Sequence, residues 1–88
     1  MQPDYNRPFV IHVDASTVAT GATLSQEDAH GELRLLECQS KRLTDAQSRW
    51  TTHERELYAL VLALTSWHHH LGGAEVHVYM DSISLVHL

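Results

Sequence analysis

In the N-terminal half of the chain, apolar positions recur with the two-residue period of β-strands. In residues 9–14 apolar side chains fall on both faces, which is typical of a central strand, and this strand ends at Asp14. Residues 20–26 and 32–40 predict two further strands, and the segment 27–31 between them has the length of a hairpin loop. Three strands joined by short connections predict an antiparallel meander.

Residues 41–50 are polar and are expected to be irregular. After them, apolar residues recur with the period of an α-helix. Thr51 and Glu54 form the Ser/Thr-x-x-Glu pattern of a capping box, which predicts that a helix begins there. Gly72 and Gly73 are expected to end it. Apolar residues recur at helical spacing between these limits and predict one buried stripe. The stripe consists of Leu57, Leu60, Val61, Leu64 and Leu71.

A fourth strand is predicted after the helix, because residues 74–80 alternate again. A strand–helix–strand connection normally returns parallel to the first strand, so the fold class is α/β with a mixed sheet and a crossover helix. Ser82 is placed to cap a second helix, of which residues 83–88 would be the start. Residues 1–8 hold both prolines and are interpreted as a linker from a preceding domain, which leaves 9–88 as the domain itself.

The composition narrows the class of protein. The 88 residues are 43% hydrophobic and 19% charged, which is typical of one small globular domain and not of a disordered chain. No stretch approaches the ~20 apolar residues of a membrane span, and the N-terminus lacks the pattern of a signal peptide. The single cysteine, Cys38, excludes an internal disulfide framework and favours an intracellular setting. A net charge of -5 argues against a protein that binds nucleic acid through a broadly basic surface.

Three carboxylates stand where the predicted topology can bring them together. Asp14 and Asp81 each end a strand, and Glu56 lies in the first turns of the helix, beside the apolar stripe. If the fourth strand pairs with the first, both aspartates lie at one sheet edge, where open α/β sheets usually bind ligands. Neighbouring carboxylates repel one another unless a cation neutralises them, and Mg²⁺ prefers such oxygen ligands. Two Mg²⁺ ions about 3.5–4 Å apart suit the cleavage of a phosphodiester.

The same carboxylates also have ordinary structural interpretations, which the spacing leaves open. Aspartate is common in turns at strand ends, and the helix dipole favours glutamate in a first turn. Glu54 is the alternative to Glu56, but the two side chains point about 200° apart around a helix. Only one of them can face the strand ends, and Glu54 already has a capping role.

Several other residues are better explained by structure than by chemistry. Three consecutive histidines at 68–70 point about 100° apart on a helix and cannot share one metal ion. Trp50 and Trp67 are expected to pack against the core, and Cys38 is expected to be a small buried hydrophobic residue. A local basic cluster is compatible both with phosphate contact and with a solvated loop. It consists of Lys41, Arg42 and Arg49.

Five blocks, in order, give the chain its resemblance to a known family. They are RPFVIHVDAS, TGATLSQ, SKRLTDAQSRWTTHERELYALVLAL, WHHHLGG and VHVYMDSISLVHL. The chain resembles the ribonuclease H (RNase H) domain of reverse transcriptases from gypsy-type long-terminal-repeat retrotransposons. That family uses as catalytic metal ligands the aspartate of the first block, the glutamate before the Leu-x-Ala helix pattern and the aspartate after the fourth strand. The resemblance therefore implies that Asp14, Glu56 and Asp81 are the catalytic and metal-binding residues.

The resemblance also implies an activity, partners and a location. We expect an RNase H-like hydrolase that uses Mg²⁺, or Mn²⁺ in its place, to cut the RNA strand of RNA–DNA hybrids endonucleolytically. Its expected partners are the hybrid and the remaining reverse transcriptase domains of the same polyprotein, with no membrane. The expected location is intracellular, in the cytoplasm or inside retroelement particles.

The family's domain is longer than this sequence. It continues with more helix, a fifth strand and a fourth acidic ligand, so residues 9–88 are expected to be a partial RNase H-like domain, truncated before the last strand. On that expectation the 88-residue chain is weakly active or inactive by itself. The alternative is a catalytically incomplete remnant that acts as a structural or interaction module.

Overall fold

A computed structural model describes residues 3–80 and 86–87 of the chain. Its elements, in chain order, are β1 (Phe9–Ala15), β2 (Ala19–Glu27), β3 (Leu33–Arg42), α1 (Asp45–Ser48), α2 (Thr52–Leu71), β4 (Val76–Met80) and β5 (Val86–His87). The strands form one sheet in the order β3-β2-β1-β4-β5. Within the described residues, no helix is long and apolar enough to cross a bilayer.

The central strand β1 sets the topology. It pairs antiparallel with β2 and parallel with β4, and β2 pairs antiparallel with β3. The predicted meander, parallel fourth strand and crossover helix are therefore confirmed.

One face of the sheet packs against α2 and forms the core. Alternation along β1 places Phe9, Ile11 and Val13 on this face, and each is at most 4% exposed. Side chains of the neighbouring strands and of α2 complete the same cluster. The opposite face is more open, and His12 is exposed there.

The buried face of α2 differs from the predicted stripe. Leu57 and Val61 are exposed, and the buried positions are Glu56, Ala59, Leu60, Ala63, Trp67 and Leu71. Small alanines let the helix approach the sheet closely, and the aromatic ring of Trp67 fills the space at its far end. The prediction was wrong at Leu57 and Val61 because it followed leucine and valine alone.

The segment between β3 and α2 is more regular than expected. β3 continues to Arg42, and Thr44 caps the short helix α1. The Thr44 hydroxyl accepts a hydrogen bond from the Gln47 backbone N–H at 3.2 Å, and the Gln47 side chain accepts one from the Thr44 backbone N–H at 3.0 Å. From the sequence, the capping box of α2 was identified but that of α1 was not. An irregular segment was therefore predicted where α1 forms.

The two ends of the described chain add to the sheet in different ways. Val86–His87 forms β5, which pairs antiparallel with β4, so a helix through these two residues is wrong. The unpaired outer edge of β4 offers backbone groups that a strand can satisfy and a helix cannot. Ser82 and the rest of residues 81–85, like Leu88, lie outside the described residues.

The N-terminal segment is tied to β2 by one buried side chain. Gln26 is fully buried, and its amide nitrogen donates to the backbone oxygens of Asp4 and Arg7 at 2.6 and 3.1 Å. Its amide oxygen accepts a hydrogen bond from the Asp4 backbone N–H at 2.8 Å. These bonds hold the segment against the sheet, and the linker boundary at residue 8 stays a prediction.

Candidate active site

The carboxyl end of β1 and the first turns of α2 lie at the same end of the sheet. This end, where the parallel strands β1 and β4 finish, is called the edge that carries the candidate site. The helix ends at Leu71, shortly before β4 begins, and it therefore runs antiparallel to β4 and β1. Glu56 lies about 22 Å before Leu71 along the helix, at 1.5 Å per residue. Asp14 lies about 17 Å beyond Phe9 along the strand, at about 3.3 Å per residue. Both carboxylates are thus near the edge at which the parallel strands end.

Glu56 is the buried carboxylate of this edge. Its side chain is 0% exposed and lies on the sheet-facing side of α2, in line with Ala59, Leu60 and Ala63. Burying an ionised carboxylate costs several kcal/mol unless a cation or hydrogen bonds compensate it. Glu56 is the one buried acidic residue among residues 3–80, which makes it the acidic residue of α2 to consider for the candidate site.

Glu54 has a different environment, although it lies only two residues earlier. It is exposed, and its carboxylate accepts a hydrogen bond from the Thr51 backbone N–H at 3.0 Å. This bond and a second one from the Thr51 hydroxyl lower the pKa of Glu54. The structure thus turns Glu56, and not Glu54, towards the sheet.

Asp14 is the exposed carboxylate of the edge. It is the penultimate residue of β1, and its Oδ1 accepts a hydrogen bond from the Ala15 backbone N–H at 2.9 Å. Because Asp14 alternates with the buried Val13, it starts from the face opposite α2. There it lines an open groove of about 720 Å³. Other side chains at this groove are His12, Thr23, Cys38, Ser40 and Tyr79.

The third predicted residue, Asp81, lies outside the described residues. The last pair of the parallel ladder joins Val13 to Met80, and Asp14 and Asp81 are the next residues in sequence after that pair. In the part of the chain that the structure describes, no three His, Cys, Asp or Glu side chains are grouped to hold one metal ion. The proposed ligand set therefore depends on Asp81.

The chemistry of the two described carboxylates fits a hard divalent cation. Mg²⁺ and Mn²⁺ prefer carboxylate oxygens, and Mg²⁺ keeps several waters that a phosphate can replace. Asp14 is open to solvent and can meet such a hydrated ion from outside. Glu56 offers its carboxylate from the buried face of α2.

Sequence reasoning missed one feature of the open face. The rings of His12 and Tyr79 stack with centroids 4.9 Å apart and an interplanar angle of 14°. Parallel pairing of β1 with β4 brings the two residues side by side. Each residue alternates with buried apolar neighbours, so the pattern places them on the open face, but their pairing requires the strand register.

The remaining candidates have mixed outcomes. Trp67 is buried as expected, and its Nε1–H donates to Glu37 at 3.3 Å. Trp50 packs edge-on against Tyr58 with ring centroids 5.4 Å apart. Cys38 is exposed, so its predicted burial is wrong, because it faces the open side of the sheet. The histidines at 68–70 are exposed on the last turns of α2.

Comparison with known proteins agrees with this architecture. The model of the RNase H-like domain found in reverse transcriptase matches residues 4–88. The retrovirus-related Pol polyprotein from transposon gypsy of Drosophila melanogaster is 36% identical over 80 residues, which cover 90% of this chain and 7% of the relative. The chain thus spans less than a tenth of that polyprotein.

Solved structures show the same fold. The foamy viral protease-reverse transcriptase in complex with dsDNA superposes with a TM-score of 0.80 at 23% identity, over 94% of this chain and 17% of that one. A structure of the foamy viral protein in complex with an RNA/DNA hybrid gives a TM-score of 0.74 at 23% identity, over 94% and 11% of the two chains. With the mixed sheet and the family match over residues 4–88, these findings show that the chain belongs to the RNase H-like domains of long-terminal-repeat retrotransposon reverse transcriptases.

Proposed function

We propose that the chain cleaves the RNA strand of RNA–DNA hybrids endonucleolytically, with Mg²⁺ or Mn²⁺, as part of a retroelement reverse transcriptase polyprotein. The observation that carries the proposal is the complete burial of Glu56 on the sheet-facing side of α2, towards the edge where Asp14 ends β1. Membership of the RNase H-like family supports the hydrolytic reaction. A relative of the same fold has been solved with an RNA/DNA hybrid, which supports the substrate class.

Asp14, Glu56 and Asp81 are the proposed metal ligands and catalytic residues. The bound cation would supply an activated water and would stabilise the charge that develops on the phosphate. Asp14, exposed at the end of β1, is the carboxylate that an incoming backbone can reach, and its hydrogen bond with Ala15 orients it. Glu56 would contribute a second carboxylate whose position is fixed by the packing of α2.

The proposed partners follow from the same function. They are the RNA–DNA hybrid and the other reverse transcriptase domains of the polyprotein. The proposed location is intracellular, in the cytoplasm or in retroelement particles. The remaining domains would supply much of the grip on the hybrid, because a chain with a net charge of -5 attracts a polyanion weakly.

Cleavage of a hybrid with a labelled RNA strand tests the proposal. The 88-residue chain is compared with a chimera in which it replaces the matching 80 residues of the gypsy polyprotein. We expect weak or no cutting by the chain alone, because one face of its sheet is open and its net charge repels phosphate. We expect Mg²⁺- or Mn²⁺-dependent cutting by the chimera.

Two variants of the chimera make the test specific. Asp14→Asn should abolish cutting, whereas Glu54→Gln should preserve it, since Glu54 is exposed and glutamine can keep the capping bond. DNA polymerase activity of each chimera checks that its other domains are folded, and circular dichroism of the 88-residue chain with the same substitution checks that this module is folded. Cutting that survives Asp14→Asn would refute the site. A chimera that polymerises but does not cut hybrid would favour the alternative, a catalytically incomplete structural module.

A further inference from the structure

The cations of this acidic chain are concentrated at the edge that carries the candidate site. Four of the six Lys and Arg residues, but only two of the eleven Asp and Glu residues, lie in residues 41–55. The other two cations are already paired with acids. Arg7 Nε lies 3.5 Å from Asp4 Oδ2, and Arg34 Nε lies 2.7 Å from Asp28 Oδ2. Within residues 3–80, the Lys and Arg residues that take part in no ion pair therefore all lie in residues 41–55.

Three of these residues present their charge to solvent. Lys41, Arg42 and Arg49, which we call the cationic edge, are exposed, and in residues 3–80 none of them takes part in an ion pair. The two acids of the segment do not neutralise them. Glu54 is engaged in the cap of α2, and Asp45 lies in the first turn of α1.

The cationic edge is held in place by contacts with α2. The Lys41 ammonium lies 5.9 Å from the centroid of the Tyr58 ring, a cation–π distance. The Arg55 guanidinium donates to the backbone oxygens of Ser48 and Trp50, on either side of Arg49. Arg55 therefore fixes the connection between the helices, and Arg49 is left to face solvent.

Strand register places Lys41 and Arg42 at the same end of the sheet as Asp14, although Lys41, which contacts Tyr58 of α2, starts from the opposite face. Asp14 pairs with Gly21, and Gly21 pairs with Ser40, so Lys41 and Arg42 are the next residues of β3 beyond this row. Two strand spacings of about 4.8 Å separate β1 from β3 by about 10 Å.

We propose that Lys41, Arg42 and Arg49 bind backbone phosphates of the nucleic acid strand that the candidate site receives. The inference rests on the proposed function for the identity of the ligand, an RNA–DNA hybrid. Binding of phosphates releases condensed counterions, so each contact adds to the salt dependence of the affinity. In a chain with a net charge of -5, such a local surface is where a polyanion meets the least repulsion.

Fluorescence anisotropy of a labelled hybrid tests this surface without any cleavage. The affinity of the 88-residue chain is measured in EDTA over a series of NaCl concentrations, for the wild type and for Lys41→Gln, Arg42→Gln and Arg49→Gln. Arg34→Gln is the matched control, because it removes the same charge from a residue that is already paired with Asp28. Circular dichroism checks that every variant is folded.

We expect the slope of log K against log [NaCl] to fall by about one for each cation removed from the cationic edge, and to stay unchanged in Arg34→Gln. An unchanged slope in all three variants, an equal loss in Arg34→Gln, or no binding by the wild type at low salt would each overturn the proposal. The Asp14→Asn variant distinguishes a failure of the proposed catalytic site from a failure of the phosphate-binding surface. Binding that depends on the cationic edge, found together with cleavage that survives Asp14→Asn, would refute the catalytic site and leave the surface standing.

Discussion

Thr51 and Glu54 bond each other reciprocally at the start of α2. The Glu54 backbone N–H donates to the Thr51 hydroxyl at 3.1 Å, and the Thr51 backbone N–H donates to the Glu54 carboxylate at 3.0 Å. The pair fixes where the helix begins and therefore which side chains its next turn presents to the sheet. Glu56, two residues after Glu54, lies on the buried face of the same helix.

Thr51→Ala should lower the free energy of unfolding by about 0.5–2 kcal/mol. The substitution leaves the first backbone N–H groups of α2 without the hydroxyl that accepts from one of them. Urea denaturation measures the change. Thr65→Ala, an exposed threonine within the same helix, is the control and should be neutral or slightly stabilising. An unaltered midpoint for Thr51→Ala would mean that the cap does not stabilise α2.

The stabilisation that Glu54 gives to the folded chain should be lost in acid. Its pKa is lowered below 4.5 by hydrogen bonds from the Thr51 backbone N–H and then from the Thr51 hydroxyl. The unfolded chain therefore binds the proton more readily, so this stabilisation is complete above about pH 4.5 and is lost as the pH falls through the lowered pKa. Melting temperatures of wild type and Glu54→Gln should converge as the pH falls from about 6 to about 3. A constant difference between the two would contradict the assignment.

The phase of α2 predicts opposite outcomes for two neighbouring leucines. Leu60 is buried in the core, and Leu60→Ala should cost about 2–5 kcal/mol in unfolding free energy. Leu57 is exposed on the outer face, and Leu57→Ala should change the same quantity by less than about 0.5 kcal/mol. Denaturant unfolding of both variants measures the difference. Equal losses of unfolding free energy would show that both leucines are packed. The helix would then face the sheet with a different side from the one described.

The sequence predicts most of the strands, because the alternation of apolar and polar residues is a local pattern. Phe9, Ile11 and Val13 face the core as their period-two spacing requires. The start of α2 is equally predictable, since Thr51 and Glu54 lie within one turn of each other. These features depend on neighbours in sequence and need no tertiary information.

Features that depend on tertiary packing were harder to predict from the sequence. The buried face of α2 uses Ala59 and Ala63, whose small size matters only once a sheet lies against the helix. Cys38 was predicted to be buried because of its residue type. It is exposed because it lies on the open face of the sheet, which the sequence alone does not reveal. For the site, the choice between Glu56 and Glu54 could be made from helical spacing, but the depth at which Glu56 is buried could not.

Binding of Mn²⁺ to the 88-residue chain, followed by nuclear magnetic resonance, shows directly whether Asp14, Glu56 and Asp81 form one metal site. The paramagnetic ion broadens the signals of nearby nuclei, so it locates the site without requiring catalysis. We expect selective broadening of the backbone amide signals of Asp14, Glu56 and Asp81, and we expect it to be lost in Asp14→Asn but not in Glu54→Gln. Broadening centred on the histidines at 68–70, or broadening that persists unchanged in Asp14→Asn, would contradict the proposed metal site.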